Sequence, residues 1–208
     1  MDTDLARSWV QAIAADVDKH KDYLTQLDSA IGDADHGTNM HRGFSAVSTA
    51  VADMEPDTVG DVLVKAGTTL ISSVGGASGP LYGSALRAIG KALKAPTADT
   101  HQFAAALAEG VQSVQKLGAA APGDKTMIDA YVPAVAAFQQ QANSGGDFAA
   151  AAGAAADAAE EGMRATTPMQ ARKGRASYLG ARSIGHQDPG ATSTALIFRA
   201  LAETVRAR

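Results

Sequence analysis

Apolar side chains return at steps of three and four through Leu5, Trp9, Ile13, Val17, Leu24 and Leu27, with His20 on the same stripe, the spacing that lines one face of a helix. The same rhythm recurs in Met40, Phe44, Val47, Val51 and Met54, in Phe103, Leu107, Val111, Val114 and Leu117, and in Ile128, Val132, Val135 and Phe138. Periodicity and helix propensity together add segments near 58–73, 79–94, 147–165 and 191–207. Strand-type alternation is sustained nowhere, so the pattern predicts an all-α chain of about eight amphipathic helices. The Ala-rich tract DFAAAAGAAADAAEEGMRA belongs with them, because alanine is the strongest helix former and lets helices approach closely. Gly, Pro and Asp punctuate the helices at IGDADHG, SVGGASGPLYG, APGDKTM and the stretch from KGRAS to HQDPGATS, and chemistry is expected in those connections.

Composition narrows the setting. The chain has 208 residues, 46% of them hydrophobic and 19% charged, which suits one domain over residues 1–208 with a substantial core. A formal charge of −4 provides no general pull toward nucleic acid or an anionic membrane. The absence of cysteine rules out disulfides and thiolate metal sites and suits a reducing compartment. Charges run throughout the first 22 residues, and no stretch approaches the roughly 18 apolar residues of a membrane helix. A soluble, cytoplasmic protein is expected.

The densest chemistry lies in LDSAIGDADHGTNMHRGF, where Asp28, Asp33 and Asp35 crowd beside His36. A helix end carrying Asp28 that turns through Gly32 would bring the three carboxylates together. Such a group either caps helices and closes Asx turns, or holds hard cations such as Mg²⁺ that take carboxylate oxygens alongside phosphate and water. Both readings stand on spacing alone. A calcium EF-hand is excluded, because Phe44 would occupy the twelfth loop position, where a bidentate Glu is needed.

In SVGGASGPLYG, the glycines around Ala77 and Ser78 suit either a tight helix turn or backbone N–H groups presented to phosphate. There is no Walker A pattern, and Gly90-Lys91 is followed by Ala92. APGDKTMID reads first as a helix start capped by Asp124, with Lys125 and Thr126 meeting a ligand as the lesser alternative. From Arg164 to Arg182 the chain carries Arg172, Lys173 and Arg175 with no acidic residue, which describes a solvated basic face or a loop that folds over an anion at Gly174 and Gly180. His20, His41 and His101 carry no distinctive pattern, and His36 and His186 form no zinc or Ser-His-Asp spacing, which disfavours zinc hydrolysis and acyl transfer.

Taken together, LDSAIGDADHGTNMHRGF, SSVGGASGPLYG, PGDKTM and MQARKGRASYLGARSIGHQDPGATS, in that order and over nearly the whole chain, resemble the L subunit of dihydroxyacetone kinase. The resemblance implies eight antiparallel helices forming a barrel with a deep nucleotide pocket at one end. It implies that Asp28, Asp33 and Asp35 ligate two Mg²⁺ ions on the phosphates of ADP or ATP. Nucleotide contacts are implied for His36, Gly37, Thr38, Asn39, Ala77, Ser78, Gly118, Met127, Arg175, Asp188, Pro189 and Gly190. The middle of the family's acidic motif is often Gly where this chain has Ala34.

Family members work with a K subunit that holds dihydroxyacetone on a histidine. In one version free ATP is exchanged. In the other, ADP stays bound as a coenzyme and is rephosphorylated by a phosphohistidine carrier of the phosphoenolpyruvate phosphotransferase system. A chain without the K portion resembles the second. The resemblance further implies a homodimer, and leaves as alternatives an ATP-dependent ketose kinase component or a non-catalytic partner of a transcription regulator. No side-chain nucleophile is expected, and Arg175 is the candidate for an electrostatic role over the phosphates.

Overall fold

Each stretch with the three-four apolar rhythm is a helix in the computed structural model, which describes residues Met1–Arg208. The helices are α1 (Thr3–Ile31), α2 (His36–Ala52), α3 (Val59–Ser73), α4 (Ser78–Ala92), α5 (Thr100–Gly118), α6 (Ile128–Asn143), α7 (Phe148–Ala165) and α8 (Pro189–Arg206). There is no strand; the only bridge pairs Asp2 with Thr97. One segment departs from the expected pattern: Arg175–Ser183 is not open loop but 3-10 turns, interrupted at Gly180, where φ is 55° and ψ is −128°.

Every helix packs on its successor, and α8 returns to α1, so the eight close into a ring. Most connections are short and make sequential neighbours antiparallel, and the long link from α7 to α8 shares a cavity with the links before α2, α4 and α6. The links 32–35, 74–77, 119–127 and 166–188 therefore gather at one end, and 53–58, 93–99 and 144–147 at the other with the chain termini. At that second end Met1 and Ala98 exchange bonds through backbone nitrogen and oxygen, and the Val59 amide donates to Ala95 O at 3.0 Å.

The core fills the ring. Trp9, Phe44, Phe103, Phe138 and Phe198 are each at most 2% exposed, and burying each such side chain stabilises the fold by roughly 1.5–3 kcal/mol. Phe103 touches Trp9, Phe138 and Phe148 with centroids 6.0, 5.6 and 5.2 Å apart. The Trp9 indole N–H reaches Ile197 O at 3.0 Å, so the one polar atom of that ring is satisfied.

The α3–α4 pair is packed backbone to backbone. A Cβ on Gly67 would overlap Gly83 O and come within 2.7 Å of Arg87 Cγ, and one on Gly83 would lie 2.6 Å from Gly67 O. Gly153, inside α7, has nothing within 4 Å of its Cβ position. The two glycines should therefore respond with opposite signs. Gly67→Ala is expected to lose about 1–3 kcal/mol to overpacking, whereas Gly153→Ala is expected to gain about 0.5–1 kcal/mol from helix propensity. Thermal unfolding of both variants beside the parent checks this; equal shifts would remove the backbone contact as the cause.

Candidate functional site

At the end where the connections 32–35, 74–77, 119–127 and 166–188 meet, they enclose an open cavity of about 220 Å³. Its acidic wall begins in the last turn of α1. Asp28 is 7% exposed, and its Oδ2 accepts the amides of Asp35 at 2.9 Å and His36 at 3.1 Å. Its Oδ1 lies where a Cβ on residue 32 would sit, so Gly32 alone lets the chain turn so tightly past the carboxylate. Carboxylate oxygens of Asp28, Asp33 and Asp35 all lie within 4.8 Å of one another. Ala34, between the last two, has φ of 61°, the left-handed region that glycine enters more cheaply than alanine.

The opposite wall is made of helix beginnings. The helices that start at the far end, α1, α3, α5 and α7, are capped by the side chains of Asp2, Thr58, Asp99 and Asp147. Of those that start at the cavity, α2, α4 and α6 receive no hydrogen bond from their N-cap side chains. In α4 the residues leading in are Gly75, Gly76 and Ala77, all on the cavity, and no side chain meets the first-turn amides. Unpaired amides at the positive end of a helix dipole suit an anion. Asp188 does cap α8, its Oδ2 accepting from Ala191 N at 2.7 Å.

Of the residues singled out from sequence, Asp28, Asp33, Asp35, His36, Asn39, Ala77, Ser78, Met127, Arg175, Asp188, Pro189 and Gly190 all line this cavity. Gly37, Thr38 and Gly118 do not. Gly37 is buried against α1, where a Cβ would overlap Lys21 O, and Thr38 is exposed. Gly118 lies one layer out, 3.2 Å from Leu81 Cδ2 as measured from an added Cβ. His36 is held at both ring nitrogens, Nε2 with Ser193 Oγ at 2.9 Å and Nδ1 with Ser78 Oγ at 3.2 Å. Burial lowers its pKa against the opposing pull of the Asp28 and Asp35 charges, so the ring is a neutral strut joining α2, α4 and α8.

Arg175 Nε pairs with Asp33 Oδ2 at 2.8 Å, bringing the basic segment onto the acidic turn. Asp124 does not cap α6 as the motif suggested. Lys125 has φ of 61°, which breaks the helical path, so α6 starts only at Ile128. Asp124 instead accepts from Ala121 N, and Asp129 takes the amides of Gly123 and Thr126 at 2.5 and 2.8 Å.

Two wall residues lie inside the motifs quoted above, Tyr82 in SVGGASGPLYG and Lys125 in APGDKTM, but nothing in those motifs marks the part the fold gives them. Tyr82 is buried with its hydroxyl on Gly190 O at 2.8 Å, Ser193 Oγ at 2.7 Å and Thr194 Oγ1 at 2.9 Å, and burial raises its pKa so that it stays protonated. Lys125 is 1% exposed, with its ammonium on backbone carbonyls. An aromatic on a helical stripe and a lysine in a turn are indistinguishable from ordinary core and surface residues until the fold places them.

Burial pushes the Asp188 carboxyl from 3.8 up to about 7; the Ala191 amide and the Lys125 charge oppose this, and Asp129 and Asp28 add to it. A carboxyl whose folded pKa is raised contributes stability that is fully present below the unfolded pKa and lost as pH rises through the folded one. Ligand-free protein should therefore lose about 1–3 kcal/mol from this group between pH 5 and pH 8. Asp188→Asn keeps a cap acceptor, and urea unfolding at the two pH values should show that its loss is smaller than the parent's by that amount. An identical pH slope in both proteins would exclude Asp188 as the source.

Residues 30–203 match the DAK2 domain. Over 203 residues, 98% of this chain and 97% of the relative, it is 42% identical to the ADP-binding subunit DhaL of PEP-dependent dihydroxyacetone kinase 1 of Listeria innocua. The corresponding Escherichia coli K12 subunit is 44% identical over 196 residues, covering 94% of this chain and 93% of the relative. The crystal structure of the dihydroxyacetone kinase from C. freundii in complex with AMP-PNP and Mg²⁺ superposes with a TM-score of 0.73 at 25% identity. That match covers 98% of this chain, which spans 34% of the longer kinase. An all-helical ring, a domain match over most of the length and relatives above 40% identity end to end place this chain in the DAK2 domain family.

Proposed function

We propose that this protein is the nucleotide-holding subunit of a phosphoenolpyruvate-dependent dihydroxyacetone kinase. The observation that carries the reading is the convergence of Asp28, Asp33 and Asp35 on one wall of a cavity whose other walls are the uncapped start of α4 and the Asp188–Pro189–Gly190 turn. The full-length likeness to subunits named ADP-binding and PEP-dependent supports the choice of nucleotide and donor.

The donor set fits hard divalent cations. Three carboxylates offer only oxygen, and the one side chain paired with them is Arg175, which leaves excess negative charge in a small volume. Asp28, Asp33 and Asp35 would hold two Mg²⁺ ions. Ala77, Ser78, Met127 and Gly190, with the open amides at the start of α4, would hold the diphosphate of ADP. When bound, ADP and Mg²⁺ supply a neutralised phosphate oxygen that takes a phosphoryl group from a phosphohistidine carrier and yields it to dihydroxyacetone on a K subunit.

The chain's own contribution is positioning and charge. Asp28 is fixed by two amides before any ion arrives. His36 holds Ser78 and Ser193 in place through its two ring nitrogens. Arg175 adds positive charge at the acidic rim. In this reading no side chain serves as a nucleophile.

Nucleotide-stripped Asp33→Asn is expected to lose at least about tenfold in affinity for Mg²⁺·ADP by titration calorimetry; unchanged affinity would remove Asp33 as a ligand. The donor is decided by native mass spectrometry of the purified protein, followed by transfer assays with a K subunit and either the phosphocarrier or ATP. Retained ADP with turnover on the phosphocarrier is expected. Protein that purifies free of ADP and turns over repeatedly on free ATP would overturn the coenzyme reading.

A further inference from the structure

The connection 166–188 is a strap with a closed neck. Gly185 N donates to Thr167 O at 2.8 Å, Ala171 N to Ser183 Oγ at 2.9 Å, and Asp188 N to Thr166 Oγ1 at 3.0 Å. Beneath that neck lies Lys125, the only lysine among the largest fully buried side chains. Its Nζ donates to Thr166 O at 2.8 Å and Met169 O at 3.1 Å on one side of the neck, and to His186 O on the other. No carboxylate forms an ion pair with it. A buried ammonium is tolerated only where its donors are all met, and here three carbonyls meet three N–H bonds. The residue before it is tied in as well, since Asp124 O accepts from Arg172 N at 3.0 Å.

A methionine or leucine would fill the same space without any of these bonds, so packing alone does not account for a charged group there. Resting on the nucleotide reading above, we infer that Lys125 is a positioning residue. Its ammonium clamps both sides of the strap's neck and so sets Arg175 against the acidic turn and the Asp188–Pro189–Gly190 turn against the cavity. The strap depends on such a clamp because it has little core of its own: Ala171 and Ala176 pack only with Ile31 and the partly buried Leu179.

The test compares the parent with Lys125→Met, which keeps the length and loses the donors. In ligand-free protein, hydrogen exchange across 166–188 should rise by about tenfold or more while α6 is unchanged. Mg²⁺·ADP affinity should fall by about tenfold. Because the clamp acts partly through Arg175, the loss on adding Lys125→Met to Arg175→Gln should be clearly smaller than in the parent. Unaltered exchange overturns the clamp, and strictly additive losses overturn its action through Arg175. The exchange arm needs no ligand, so a parent that fails to bind ADP sinks the nucleotide reading and leaves the clamp to be judged by exchange. If Lys125→Met does not fold, the parent's Lys125 ¹⁵Nζ ammonium signal decides. A slowly exchanging resonance is expected, and exchange too fast to detect would overturn the inference.

Discussion

The site depends on a carboxylate that is already spoken for by the backbone. Asp28 belongs to α1, yet its Oδ2 accepts the first amides of the next segment, Asp35 N and His36 N. One side chain thereby closes the turn between two antiparallel helices and fixes where α2 begins. Asp33 and Asp35 are carried into place by that closure, with Gly32 and the left-handed Ala34 as the two backbone positions that make the turn short enough. The charge that assembles the turn is thus also part of the charge that a cation would meet. The two sequence readings of these aspartates, capping and metal binding, are in this structure compatible for the same residue.

A second asymmetry follows from the ring. Antiparallel helices present four starts at each end, but the chain treats the ends differently. At the far end every start is capped by its own Asp or Thr, and the α3 and α5 caps are full capping boxes. Near the cavity, α4 begins behind two glycines with its amides open. Each missing cap forgoes stability of about 1 kcal/mol. In α4 that concession sits beside the close glycine packing of α3 on α4, which holds the helix in place although its start is open.

Much of this was legible beforehand because it rests on local pattern. Helix number and order followed from the apolar stripes, and Asp28, Gly32 and Asp35 were recognisable from their spacing. Boundaries were less so: α2 begins at His36, four residues before its apolar stripe, because backbone contacts to Asp28 start it. Asp124 caps no helix because Lys125 adopts a positive φ, which no local pattern in the sequence encodes. Lys125 and Tyr82 owe their importance to partners 41 and 108 residues away, and no local period encodes such separations. The strap's 3-10 turns escaped for a similar reason, since short helices of that kind carry no apolar face of their own.

The charge distribution constrains how such a cavity can fill. Asp28, Asp33 and Asp35 face it with Asp188 close by, while Lys125, Lys173 and Arg175 supply the positive side chains, one of them paired to Asp33 and one bound to carbonyls. A bare diphosphate entering here would meet carboxylates at short range, where like charges repel by several kcal/mol at the effective dielectric of a partly buried site, roughly 4 kcal/mol for unit charges 4 Å apart. A divalent cation arriving alone would neutralise the aspartates but keep coordination positions that the protein does not fill. On the proposed reading each ligand would lower the cost of the other, and by linkage that coupling would be reciprocal. On the proposed reading the acidic turn and the open amides of α4 would act as two halves of one site, each suited to a ligand complex that carries both signs of charge.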